Sequence, residues 1–172
     1  MRTKKVVVVP YDPQWPENFL TVRRELEEAL QGRFLAIEHV GSTSVPGLCT
    51  KPILDIDIVI GNEPEDFIFV RDALARIGYT HEGNLGIEGR EAFAYTGKEH
   101  LQTHHLYVCP ENSKELHRHL TFRDHLRLCA EDRERYGRVK TEAAALFPQD
   151  IDSYIEHKGQ VISELYRKLG LA

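Results

Sequence analysis

The sequence predicts an α+β fold, a mixed β-sheet with flanking helices followed by a C-terminal helical portion. Three observations carry that expectation. Short apolar, β-branched-rich runs separated by turn residues fill most of the first 110 or so positions. From Ser113 onward the apolar spacing is helical. No Pro/Ser-rich linker marks the changeover, so the 172 residues are read as one unit, sheet-rich over about 1–110 and helical over about 111–172.

Taken in order, Lys5–Val9 is β-branched and reads as a strand, stopped by the turn Pro10-Tyr11-Asp12-Pro13. Phe19, Val22, Leu26, Ala29 and Leu30 recur at helical spacing between Trp15 and Gln31, and Gly32 supplies a stop. Phe34–Val40 alternates as a second strand. Gly41–Lys51, rich in Gly, Ser, Thr and Pro, must be a loop or a single helical turn. Ile53–Ile60 is a third strand and Glu63–Ile77 a helix ended by Gly78. Tyr79 to about Val108 breaks into several strands around a Gly-rich turn at Gly83–Gly89. Helical patterns then run Ser113–Cys129, Glu131–Leu146 and Ile151–Leu169, with Pro148 separating the last two.

Composition narrows the function classes. Hydrophobic residues at 41% and charged residues at 28% are an ordinary globular balance. A net charge of -5 gives no electrostatic reason to expect nucleic acid as a main partner. The arginines between Arg118 and Arg138 and Lys140 are interleaved with Asp124, Glu131, Asp132 and Glu134, which reads as a solvated, mixed-charge helix surface. No apolar run approaches the roughly 20 residues that span a bilayer, and Val6–Val9 is too short for a secretory h-region. Cys49, Cys109 and Cys129 are odd in number and lack Cys-x-x-Cys spacing, so neither disulfides nor a zinc ribbon is expected and a reducing cytoplasm is the natural compartment.

The chemistry gathers between Val40 and Ile58. On a strand, alternate side chains share a face, so Asp55 and Asp57 project together, about 7 Å apart at Cα. Leu54, Ile56 and Ile58 then point the other way, into a core. Two adjacent like charges repel unless a cation lies between them, and carboxylate with phosphate oxygen is the ligand set Mg²⁺, or Mn²⁺, accepts. In the preceding loop Gly41 allows close approach of backbone, while Ser42, Thr43 and Ser44 offer hydroxyls and N–H donors. If Ser44 caps a short helix beginning near Val45-Pro46, its free N–H groups make an anion site. Lys51, between loop and strand, is placed to offset phosphate charge. A lone Gly-Ser is usually a turn and a lone Asp-x-Asp often a strand end; in this order, on loop and strand, they specify a metal and a phosphate together.

Gly41-Ser42 followed, after twelve residues, by Asp55-Ile56-Asp57 resembles the signature of the nucleotidyltransferase superfamily. The longer string Glu38-His39-Val40-Gly41-Ser42-Thr43-Ser44-Val45-Pro46-Gly47-Leu48, with Lys51-Pro52-Ile53-Leu54-Asp55-Ile56, is similar to the GrpB family within it. Tyr11–Pro16, His104–Val108, Phe122–Arg127, Tyr136 with Lys140, and Tyr154 with Lys158 extend the resemblance over nearly the whole chain. It implies a nucleotidyltransferase-like sheet, Gly41 and Ser42 on a triphosphate, and Asp55 and Asp57 on metal, with an unknown small-molecule acceptor. It also implies a third carboxylate on a later strand. The matching segment, Thr103–Val108, has no Asp or Glu. His105 is the substitute expected there, because it shares a face with Thr103 and Tyr107 while His104 faces away.

The remaining candidates weigh less. His117 and His119 sit roughly 200° apart round a helix and cannot chelate one ion together. His81, His100 and His157 read as surface or turn residues. His39 could donate to a phosphate or be a satisfied structural histidine. Arg123 and Lys140 could reach the cleft from the helical half, but a salt-bridged surface position is the favoured expectation. Trp15 and Tyr11 anchor the N-terminal turn. A transferase is the leading expectation; the rival is a catalytically inactive nucleotide- or phosphometabolite-binding regulatory module.

Overall fold

The computed structural model describes residues 5–172. Helix α1 (Trp15–Leu30) leads into strand β1 (Ala36–Val40), a single 3₁₀ turn (Ser42–Ser44), strand β2 (Leu54–Ile60) and helix α2 (Pro64–Ala75). Strands β3 (Tyr79–Gly83), β4 (Glu91–Tyr95) and β5 (His104–Pro110) follow, then helices α3 (Lys114–Leu128), α4 (Ala130–Leu146) and α5 (Ile151–Lys168). The sheet order is β1-β2-β5-β4-β3. Only the central β2–β5 pair is parallel, and the other three pairs are antiparallel.

One face of this mixed sheet is apolar. Leu54, Ile56, Ile58 and Ile60 of β2, with Leu106 and Val108 of β5, bury against Trp15, Phe19, Val22, Leu26 and Leu30 of α1 and Val70, Ala73 and Leu74 of α2. The α1 residues fall at i, i+3/i+4 and i+7, the stripe a one-sided helix needs. Tyr11 meets Trp15 edge-on at 5.4 Å, so the N-terminal turn is anchored as expected. The opposite face carries Asp55, Asp57, His105 and Tyr107, and α3 covers part of it through Leu116 and Leu120 on Val59 and Cys109. A separate apolar cluster joins Val45 and Leu48 of the long loop to Leu126, Tyr136 and Leu165, one from each C-terminal helix. The helical portion thereby clamps the loop after Gly41.

Two local expectations are corrected. Lys5–Val9 is not a strand: only Val9 forms a β-bridge, with Thr50, while the Val6 N–H donates to Pro148 O. Its β-branched residues bury partly against Ala143 and Tyr154 rather than in a sheet. No helix starts at Val45-Pro46 either. The turn closes on itself one residue after Gly41, with Ser44 N–H on Gly41 O and Val45 N–H on Ser42 O, and Val45 is extended. None of the three cysteines forms a disulfide. Among the described residues, no helix is long and apolar enough to cross a membrane.

Candidate active site

The β2–β5 register places Asp55 opposite His105 and Asp57 opposite Tyr107. Asp55 and Asp57 share a face, as strand alternation requires. Gly41 approaches that face so closely that a Cβ there would collide with Asp55 Oδ2, and its φ of 70° is one a side chain rarely adopts. The glycine is needed twice over, for backbone conformation and for the carboxylate behind it.

Both carboxylates are held by imidazoles. His105 Nδ1 lies 3.0 Å from Asp55 Oδ1, and His119 Nδ1 lies 2.5 Å from Asp57 Oδ2. His119 also contacts Glu115 Oε1 through Nε2 at 3.2 Å. Burial opposes charge on His119, but its bonds to Asp57 and Glu115 outweigh that and lift its pKa to about 9. It is therefore an imidazolium between two carboxylates at neutral pH. Burial raises the Asp57 pKa, with His119 opposing. Burial would also raise that of Asp55, but His105, His119 and Lys158 together hold it below the ordinary carboxylate value. Asp57 Oδ1 is buried and has no hydrogen-bond partner. An orphaned anionic oxygen beside a second carboxylate fits a hard dication. As the side chains stand, no third ligand atom closes the set: among the described residues, the one His/Cys/Asp/Glu trio with donor atoms within 4.8 Å of one another lies elsewhere.

The Ser42 hydroxyl meets a buried lysine. Lys140, only 1% exposed, donates from Nζ to Ser42 Oγ and to Thr50 Oγ1. Burial, then repulsion from Lys158, pushes the Lys140 pKa well below that of a free lysine. Lys51 and Lys158 lie over the Tyr154 ring at 5.7 and 5.0 Å. Burial lowers the pKa of each, and for each the charge on Asp55 works in the opposite direction. Three lysines thus gather round the Gly-Ser turn and one half-buried aspartate. The favoured surface position for Lys140 is overturned: it lies over the ring of the core residue Tyr136, and its amine is enclosed with hydroxyls instead of carboxylates.

Other expected ligands are not available. The Thr43 hydroxyl bonds His39 Nε2 at 2.9 Å, and the Ser44 hydroxyl donates to Gly41 O at 2.5 Å, so both are consumed within the turn. His39 points to the apolar face, stacked on Phe19 at 4.8 Å, and burial depresses its pKa to about 4. It is a structural histidine. His104 faces away from the carboxylates and bonds Tyr79 Oη at 2.8 Å. The sequence set His119 aside and gave Glu115 and Lys158 no role at the site. The Glu115/His119 spacing of four residues on one helix was a usable signal, but pairing two histidines was the wrong question.

The basic stretch is also not simply a solvated surface. Arg123, Arg127 and Arg133 line a groove of about 880 Å³ on the β1 side of the Gly41–Ser44 turn, with Arg23, Phe19 and Tyr11. Arg123 pairs with Glu38 at 2.7 Å and donates to His39 O at 3.1 Å. Arg127 and Arg133 are held by backbone carbonyls, Arg127 on Ser44 O and Arg133 on Leu126 O and Arg127 O.

The crystal structure of conserved protein GrpB from Enterococcus faecalis superposes with a TM-score of 0.76 at 31% identity, covering 93% of this chain and 99% of that one. The Cid1 poly(U) polymerase in its MgGTP-bound form gives a TM-score of 0.56 at 13% identity, over 79% of this chain and 44% of that one, a likeness of fold alone. UPF0157 protein BH1888 of Halalkalibacterium halodurans is 34% identical over 164 residues, 95% of this chain and 82% of that protein. The family described as GrpB protein matches residues 5–168, and the chain, with its nucleotidyltransferase-like sheet, belongs to the GrpB family.

Proposed function

We propose that the chain binds a nucleoside triphosphate with Mg²⁺ or Mn²⁺ and transfers the nucleoside monophosphate to a small-molecule acceptor. The observation that carries this reading is the buried Lys140 amine on Ser42 Oγ, with Lys51 and Lys158 beside it and Asp55 as the nearby carboxylate. Burial lowers the pKa of all three amines, and a polyphosphate beside them would stabilise their charged forms. Asp55 and Asp57 would hold the dication, with Asp57 Oδ1 as the oxygen already lacking a partner. When bound, that ion supplies charge neutralisation on the phosphates.

The chain's own groups would do the rest. Gly41 lets the backbone approach the phosphates. Ser42 and Lys140 fix phosphate oxygens, and Lys51 and Lys158 balance the developing charge. His105, held through Nδ1 by Asp55, has Nε2 left to take the proton of an acceptor hydroxyl as the new P–O bond forms and pyrophosphate leaves. The arginine groove beside the turn gives an anionic acceptor a place to dock.

A second reading, an inactive nucleotide- or phosphometabolite-binding regulatory module, is favoured by one observation. Both aspartates are engaged by histidines, and β5 brings no acid to them. One experiment separates the two: thermal melts across a panel of nucleoside triphosphates with Mg²⁺ or Mn²⁺, followed by assay of pyrophosphate release with candidate acceptors. A ligand at 100 times its Kd should add about 2.7 kcal/mol. Metal-dependent binding lost in Asp55→Asn/Asp57→Asn, with pyrophosphate formed, supports the transferase. Binding without release supports the module, and no nucleoside triphosphate bound by the folded wild type removes the transferase and confines the module to other phosphorylated ligands.

A further inference from the structure

At the corner between α3 and α4, away from the Asp55/Asp57 face, His125, Cys129 and Asp132 each turn one donor atom toward a common point. All three atoms lie within 4.8 Å of one another. His125 closes the last turn of α3, Cys129 is the bend, and Asp132 stands in the first turn of α4. We infer that this corner is a binding site for a borderline transition-metal dication of the Zn²⁺ type, held by an imidazole nitrogen, a thiolate and a carboxylate oxygen.

The geometry is close to what such an ion needs. Bonds of about 2.0–2.3 Å in a tetrahedral shell put ligand atoms roughly 3–4 Å apart. His125 Nε2 and Asp132 Oδ2, now 2.6 Å apart, would open by about 0.4–1.4 Å. Both side chains are well shielded, at 18% and 8% exposed, so their positions are set by packing before any ion arrives. The place already selects a cation: Lys168 of α5 puts Nζ 2.7 Å from Asp132 Oδ2. That lysine is 57% exposed and can swing into water, freeing the fourth position for a water molecule. Binding would exchange the Cys129 thiol proton for the metal, releasing it to solvent.

Sulfur and nitrogen donors favour Zn²⁺, Co²⁺ or Ni²⁺ over Mg²⁺, which separates this corner from the all-oxygen pair on β2. The competing account is a helix-corner network without an ion, in which Asp132 bridges His125 and Lys168 and accepts a hydrogen bond from a Cys129 thiol that keeps its proton. The two differ in what Cys129 does.

Co²⁺ titration of the full chain distinguishes them, read by the thiolate-to-cobalt charge-transfer band and the visible bands of tetrahedral coordination. One equivalent should bind and be displaced by Zn²⁺. Cys129→Ser should abolish the charge-transfer band, and His125→Phe should weaken binding at least about tenfold. Asp55→Asn/Asp57→Asn should leave the titration unchanged. Lys168→Met, which keeps all three ligands and alters an exposed side chain, should tighten binding by removing the competing ammonium. No charge-transfer band in the wild type, a band that survives Cys129→Ser, or an affinity indifferent to Lys168→Met would each overturn the site.

Discussion

Strand β2 carries two kinds of chemistry on its two faces. Leu54, Ile56 and Ile58 are fully buried in the apolar layer against α1 and α2. Asp55 and Asp57, one residue out of step, face imidazoles, lysines and the Gly41 turn. The first face gains free energy by removing hydrocarbon from water. The second collects like charges, an orphaned carboxylate oxygen and enclosed amines, each of which opposes folding. A strand two residues in period can serve both ends because a buried core on one side supports an unfavourable arrangement on the other.

The largest expected effect tests that division directly. Ile56→Ala should lower the unfolding free energy by about 3–4 kcal/mol, whereas Asp57→Asn, which relieves repulsion from Asp55 but leaves the His119 imidazolium only Glu115, should cost about 1–2 kcal/mol. Urea denaturation of the two variants measures both; equal losses would break the comparison.

Next in size is a contrast between histidines. Burial keeps His39 neutral on the apolar face, while carboxylates keep His119 charged on the other. The folded pKa of His39, about 4, lies below the ordinary 6.5, so between those values the unfolded chain binds the proton more readily. Its contribution is complete above pH 6.5, falls as pH drops toward 4, and is then exhausted, a change of up to about 3 kcal/mol. Stability measured from pH 7 to 4 should lose that component of its slope in His39→Phe.

The smallest expected shift has the opposite sign. Lys140→Met should raise stability by about 1–2 kcal/mol, because an enclosed, desolvated amine is replaced by hydrocarbon of similar length. The same variant should weaken nucleoside triphosphate binding at least about tenfold. Thermal melts with and without Mg²⁺ and nucleotide report both quantities, and a destabilised Lys140→Met would place Lys140 among the groups that hold the fold together.

What could be read in the sequence was local and periodic. Alternation put Asp55, Asp57 and His105 on one sheet face, and helical spacing gave every helix to within two residues at either end. The Gly-Ser turn was visible, but which hydroxyls stay free was not. That depends on Gly41 O and His39 recruiting Ser44 and Thr43. Lys140 reaches Ser42 across 98 positions, and His119 reaches Asp57 across 62. Such meetings depend on how α3 and α4 pack over the loop, which no window of sequence contains. Lys5–Val9 failed for a related reason: β-branched residues suit a strand, but pairing needs an open neighbour, and Arg123 already occupies part of the β1 margin.

That arginine bears on how the molecule behaves in a crowd. A five-residue border strand exposes peptide groups on which a second chain could build, the usual beginning of sheet-to-sheet association. On β1 the guanidinium of Arg123 caps the His39 carbonyl and salts the border with charge. On the far margin β3 is short, polar and broken by a register shift between His81 and Gly83. With both margins blunted, the sheet is poorly suited to template copies of itself.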